Sequence, residues 1–179
     1  VQPPAAPLPP FADTRFAAPT GKVDATELFT LSPAMQAYLN SPAFNRHLRQ
    51  SGPRRGLVEA LYSKTDLKLE YESSKTRTAA ETFADRSGNC LSLVIMTAAF
   101  ARELKMPVRF RSVDAGNAWS RKAGLYLGSA HVNIAVGEPI DSGFRGSALG
   151  EFLVVDFIPR DEAASLRTRE LEEEDVVAL

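Results

Sequence analysis

From Leu91 to Ala101 the chain reads LSLVIMTAAFA, apolar on almost every side of a helical projection. A surface helix keeps a polar face, and a helix without one is buried. Further elements must therefore cover it all round, which constrains the fold more than any other stretch does. The turn-forming run Asp85-Arg86-Ser87-Gly88-Asn89 precedes it. Arg102, Glu103 and Lys105 make its polar end, and Pro107 stops it.

Candidates for the cover lie on both sides. Upstream, Ser32-Pro33 opens a helix with Met35, Tyr38 and Leu39 at helical spacing. Ser41-Pro42 restarts it through Phe44 and Leu48, and Gly52-Pro53 breaks the pattern. Leu57, Val58, Leu61 and Tyr62 form a second amphipathic helix. TAAETF (78–83) is a short helix with Thr78 as its cap, and Leu67, Leu69 and Tyr71 alternate as either a short strand or a loop. Downstream, VRFRSV (108–113) alternates, placing Val108, Phe110 and Ser112 on one face and Arg109, Arg111 and Val113 on the other. AHVNIAV (130–136) and FLVVDF (152–157) have the β-branched content of strands. Seven glycines between 114 and 151 mark long connections. Helices first and strands afterwards give an α+β fold with an antiparallel sheet against the buried helix.

Six of the twelve prolines fall in residues 1–19, so residues 1–25 read as an extended, flexible linker. Residues 26–165 form the domain. Residues 166–179 are a C-terminal segment in which ELEEED precedes VVAL, a helix start that ends before it buries anything. The opening VQPPAAPLPPF has the composition of a tether behind a cleaved export signal, or marks a cloning boundary. Lys and Arg number 21 against 22 Asp and Glu, a net charge of −1, so the footprint of a nucleic-acid binder is missing. No apolar run approaches the roughly 18 residues that would span a membrane. With two histidines and one cysteine no zinc-ligand spacing exists, and acidic loop clusters for calcium are absent. No metal and no organic cofactor is implied.

The sequence contains a single thiol, Cys90, directly after Gly88-Asn89 at the head of the buried helix. A helix N-terminus stabilises a thiolate, and its free N–H groups can hold an oxyanion. A cysteine there is equally at home as a small buried hydrophobe. A thiolate nucleophile needs an imidazole. His47 lies in the charged stretch NRHLRQ and reads as a solvated surface residue; His131 lies in the strand AHVNIAV. A catalytic imidazole needs an orienting group, and Asp156, in the apolar strand LVVDFIP, needs a partner of its own. An antiparallel pairing with His131 opposite Asp156, Asn133 opposite Val154 and Val136 opposite Glu151 satisfies both. Asn89 is either an oxyanion donor or the helix cap. Arg86, Arg109 and Arg111 either bind an acidic group or lie on solvated faces.

GNCLSLVIMTAAFARELKMPVRF, AHVNIAV and VVDF, in that order, resemble the transglutaminase-like (papain-like) superfamily. The resemblance covers about residues 57–160. It implies a papain/transglutaminase-like core and a triad of Cys90, His131 and Asp156, with Trp119 lining the cleft as an aromatic near the oxyanion or else simply packing. EYESSKTRTAAETFADRSGNC looks like a bacterial exported subgroup, in which the domain often precedes tetratricopeptide repeats. That implies a periplasmic or envelope location and C-terminal helical repeats in the parent protein. The implied activity is thiol-dependent acyl transfer on a peptide or protein substrate, as a cysteine peptidase or amidase or as a cross-linking transglutaminase, with hydrolysis favoured because water is always present. The alternative is a non-catalytic module that binds a peptide or protein in the same cleft.

Overall fold

A computed structural model describes residues 25–63, 65–114, 119–122, 125–128, 131–138, 152–157 and 167–179, the side chains of Ala25, Asp114, 119–122, 125–128 and Arg167 excepted. The proline-rich segment lies outside these residues. The fold is α+β. Its elements run α1 (Ala25–Leu28), α2 (Pro33–Leu39), α3 (Pro42–Tyr62), β1 (Glu70–Tyr71), α4 (Ala79–Asp85), β2 (Ser87–Gly88), α5 (Cys90–Glu103), β3 (Val108–Asp114), β4 (Trp119–Lys122), β5 (Leu125–Gly128), β6 (His131–Val136), β7 (Leu153–Val155), β8 (Arg167–Leu171) and α6 (Glu173–Ala178).

The apolar helix is α5, and every residue from Leu91 to Ala101 is buried. Its cover comes from α4, from α3 and from β6 of the sheet. The buried hydroxyl of Thr97 donates to the Leu93 carbonyl at 2.7 Å, so the polar atom it brings into the core is satisfied. Tyr38 of α2 packs its ring on Phe44 and Phe83, and Phe83 meets Phe100 of α5 edge to face at 5.9 Å.

The helix starts behave as the sequence predicts. Ser32, Ser41 and Thr78 each accept from a backbone N–H of their own first turn, and Thr78 with Glu81 completes a capping box. The break at Gly52-Pro53 is a fold of α3 on itself. Gly52 takes φ 78°, a value that favours glycine, and a Cβ on Gly56 would lie 2.7 Å from the His47 backbone.

The main sheet has the order β7-β6-β3-β8, all neighbours antiparallel. Two features depart from the sequence reading. The glycine-rich connection contains a hairpin, with β4 pairing β5. The C-terminal segment is part of the domain: β8 hydrogen-bonds β3 at the sheet edge, carrying the sheet beyond residue 165. The helix after it does bury a side chain, since Val176 is 2% exposed. Arg102 at the end of α5 ties it down through Glu173 at 2.6 Å.

Before α5, the two-residue strands β1 and β2 run parallel, with Tyr71 paired to Gly88. The glycine serves packing here. A Cβ on Gly88 would lie 2.7 Å from the Ser92 Cβ and 3.3 Å from the Thr82 Cγ2. Ser92 cannot give way, because its Oγ donates to Asn89 and accepts from the Arg77 N–H, both at 2.8 Å. Gly88→Ala should therefore push on the first turn of α5, costing about 2 kcal/mol as an overpacked core substitution. For a chain of this length that lowers the melting temperature by about 4–8 °C. A thermal melt checks this, and a shift under about 1 °C would show that the turn yields.

Candidate active site

Cys90 is the first residue of α5 and is partly exposed. Asn89 caps the helix: its Oδ1 accepts from the Ser92 N–H at 2.8 Å, and its Nδ2 donates to the Thr76 hydroxyl at 2.9 Å. Of its two roles, the structure displays capping, with both amide ends engaged.

His131 begins β6 and is 7% exposed. Asp156 directly follows β7. His131 Nε2 donates to Asp156 Oδ1 at 2.7 Å. The strands carrying them pair with a register two residues from the expected one: Ile134 faces Val155, Ala135 faces Val154 and Val136 faces Leu153. A two-residue shift keeps every side chain on its face, because the pleat repeats every two residues. The position opposite Asp156 now falls to Asn133, and His131 reaches the carboxylate along the diagonal. Asn133 Nδ2 donates to Asp156 Oδ2 at 3.0 Å. Each carboxylate oxygen thus has its own donor, and the Tyr62 hydroxyl donates to the Asp156 carbonyl. Asn133 is thus a further polar member of the site, one that the sequence pattern alone did not assign to it. Its signal was present: a polar residue two positions from His131, on the same face of an apolar strand.

With Nε2 held by Asp156, the nitrogen left for the thiol is Nδ1. It is buried and makes no hydrogen bond of standard geometry among the described residues; its interaction is with Cys90. Two opposed shifts follow. Burial pushes the Cys90 thiol up, but the neighbouring His131 ring, the Val132 backbone and the imidazolium charge outweigh it, so the net shift is downward. Burial pushes the His131 imidazole down, but the hydrogen bond with Asp156, the neighbouring Cys90 sulfur and both negative charges raise it to about 9. Both shifts favour the thiolate–imidazolium form of the pair.

The remaining candidates separate. Trp119 lies on β4, and its side chain is outside the described residues. His47 is not a free surface residue: its Nε2 pairs with Asp66 at 2.6 Å. The arginines have internal partners, Arg86 on the Asp66 and Leu67 carbonyls, Arg109 near Glu170 and Arg111 on the Thr168 hydroxyl. Among the described residues no group of three or more His, Cys, Asp or Glu is placed to hold a metal ion, and no helix is long and apolar enough to cross a membrane.

No family model, no curated protein and no solved structure matches the chain.

Proposed function

We propose that this chain is a transglutaminase-like thiol enzyme with a papain-like core, transferring acyl groups from peptide or protein amides, with water as the default acceptor. The observation that carries the reading is the convergence of Cys90, His131 and Asp156 from three separate elements, with a 2.7 Å bond fixing the ring and the proton biased from sulfur to imidazole. Structural cysteines at helix starts need neither.

The chemistry follows from the protonation states. The Cys90 thiolate attacks the amide carbonyl carbon, and the carbonyl electron pair moves onto oxygen. The positive end of the α5 dipole favours the charge that develops there. The tetrahedral species collapses, the C–N bond breaks, and His131 gives its Nδ1 proton to the departing amine. Neutral His131 then takes a proton from water as that water attacks the thioester, and sulfur leaves as thiolate. Asp156 holds the ring in one orientation throughout and favours its cation.

The test is the rate of Cys90 alkylation by iodoacetamide against pH. Because the thiol is shifted down, it stays ionised below the ordinary thiol range of about 8.5. The wild-type protein should alkylate at lower pH than an ordinary thiol does. His131→Ala should move the profile up to the ordinary range, since burial then acts unopposed by the imidazole. Amide turnover should also fall as pH rises through about 9, where His131 loses the proton that the leaving amine needs. Alkylation, which needs no acid, should persist there. Identical alkylation profiles in the two proteins would defeat the reading and favour a binding module.

A further inference from the structure

A cleft of about 450 Å³ opens beside the proposed triad, within the roughly 300–1,000 Å³ of small-ligand sites. Buried Leu61 and Leu93 form its floor, the paired rings of Tyr62 and Phe157 one wall, and the segment Lys68-Leu69-Glu70-Tyr71 the other. Leu93 stands about one turn along α5 from Cys90. Tyr71 reaches Cys90 itself, its phenol oxygen facing the Cys90 backbone. Phe157 follows Asp156, and its ring stacks on Tyr62 at 5.7 Å. The cleft is thus joined to the proposed nucleophile at one wall and to its carboxylate at the other.

The wall at 67–71 is anchored, unlike an ordinary surface loop. Arg86 donates to the Asp66 and Leu67 carbonyls, both at 3.0 Å. The Lys68 N–H donates to the Ser63 carbonyl at 3.0 Å, and the Glu70 N–H to the Arg86 carbonyl at 2.9 Å. Lys68 is held at φ 48°, a conformation that a side-chain-bearing residue keeps only where its surroundings enforce it. Tyr62 and Tyr71 are both more than half exposed, so this fixed wall leaves aromatic surface uncovered next to the thiol.

We propose that this cleft is the specificity pocket of the enzyme, and that it takes a large apolar side chain, aromatic or branched aliphatic, from the acyl portion of a peptide substrate. The proposal rests on the thiol-enzyme reading above. The acyl portion is the assignment because it stays bonded to Cys90 through both halves of the reaction, so a pocket reached from Cys90 holds it in both. An apolar side chain is the assignment because six of the eight lining residues are leucine, tyrosine or phenylalanine, and the two charged ones, Lys68 and Glu70, are of opposite sign and leave the cleft no net charge to select for.

Acetyl-Xaa-Gly chloromethyl ketones, with Phe, Leu, Ala, Lys or Asp at Xaa, test this by their rates of Cys90 labelling, read by mass spectrometry. Iodoacetamide serves as the side-chain-free reference. The Phe and Leu probes should label about tenfold or more faster than the Ala, Lys and Asp probes, the factor that burying one large apolar side chain supplies. Leu69→Glu and, separately, Tyr62→Ala should compress that ratio to about threefold or less. Equal rates for all five probes, with the iodoacetamide profile still shifted to lower pH than in His131→Ala, would overturn the pocket and leave the thiol reading intact. A preference for Lys or Asp, or a Phe preference unchanged in both variants, would also overturn it. Ordinary thiol behaviour toward iodoacetamide would remove the thiol reading and the pocket with it.

Discussion

Cys90→Ala should abolish acyl transfer, a loss on the order of 10⁴-fold or more, while the protein melts within a few degrees of wild type. The substitution removes one sulfur from a partly exposed position at the head of α5 and replaces it with the strongest helix former. The core of the helix starts at Leu91 and is untouched. A second readout does not depend on knowing the substrate. His131 is raised to about 9 partly by the neighbouring Cys90 sulfur and its charge, against burial, which opposes the shift. Without the sulfur, burial stays and those two contributions vanish. The His131 ring, followed by nuclear magnetic resonance, should therefore titrate below its wild-type midpoint, still supported by Asp156. Turnover at the wild-type rate would refute the nucleophile. An unchanged His131 titration would show that sulfur and ring are not coupled.

The legible parts of the fold were those whose physics is local. An eleven-residue stretch with no polar face has only one stable place to be, so α5 and its burial followed directly from sequence. Capping serines and threonine marked the helix starts for the same reason. Strand β8 escaped because RTREL shows no apolar alternation. It is an edge strand, and edges carry charge to discourage further pairing; of its described side chains only Leu171 turns into the core. The strand register erred by two residues because the apolar pattern repeats at that interval and cannot distinguish the alternatives.

The candidate site was legible to the extent that each polar residue had no other use. A carboxylate and an imidazole embedded in apolar segments each require a partner, and the chain has only two histidines. What the sequence did not convey was who sits opposite whom. Asn133 lay between two residues already under discussion, yet its place on the carboxylate depended on the register. His47 read as solvated because its neighbours are charged. Its partner Asp66 arrives from nineteen residues away, through the fold of α3, and no periodicity within the helix reveals that.

Asp156→Ala should cost stability as well as rate. The carboxylate accepts from His131 at 2.7 Å and from Asn133 at 3.0 Å. Its removal strands two donors on side chains that are 7% and 4% exposed. Breaking one partner out of a buried pair costs about 3–5 kcal/mol, and because Asp156 is itself partly exposed we take about 3 kcal/mol. That lowers the melting temperature by about 6–12 °C for a chain of this length. The sign of the pH dependence is fixed by the direction of the His131 shift. A histidine raised in the folded state contributes stability that is fully present below its unfolded value of about 6.5. That contribution disappears as pH rises through about 9. The gap between wild type and variant should therefore be widest near pH 6 and narrow above pH 9, where both proteins hold a neutral ring. Asp156→Asn, which keeps an acceptor oxygen without the charge, should fall between them in stability and leave alkylation of Cys90 less acid-shifted than in wild type. Melts at pH 6 and pH 10 provide the check: a gap that widens with pH would mean that the carboxylate stabilises something other than the imidazolium. A variant that matches wild type at both would show that Asp156 holds nothing in place.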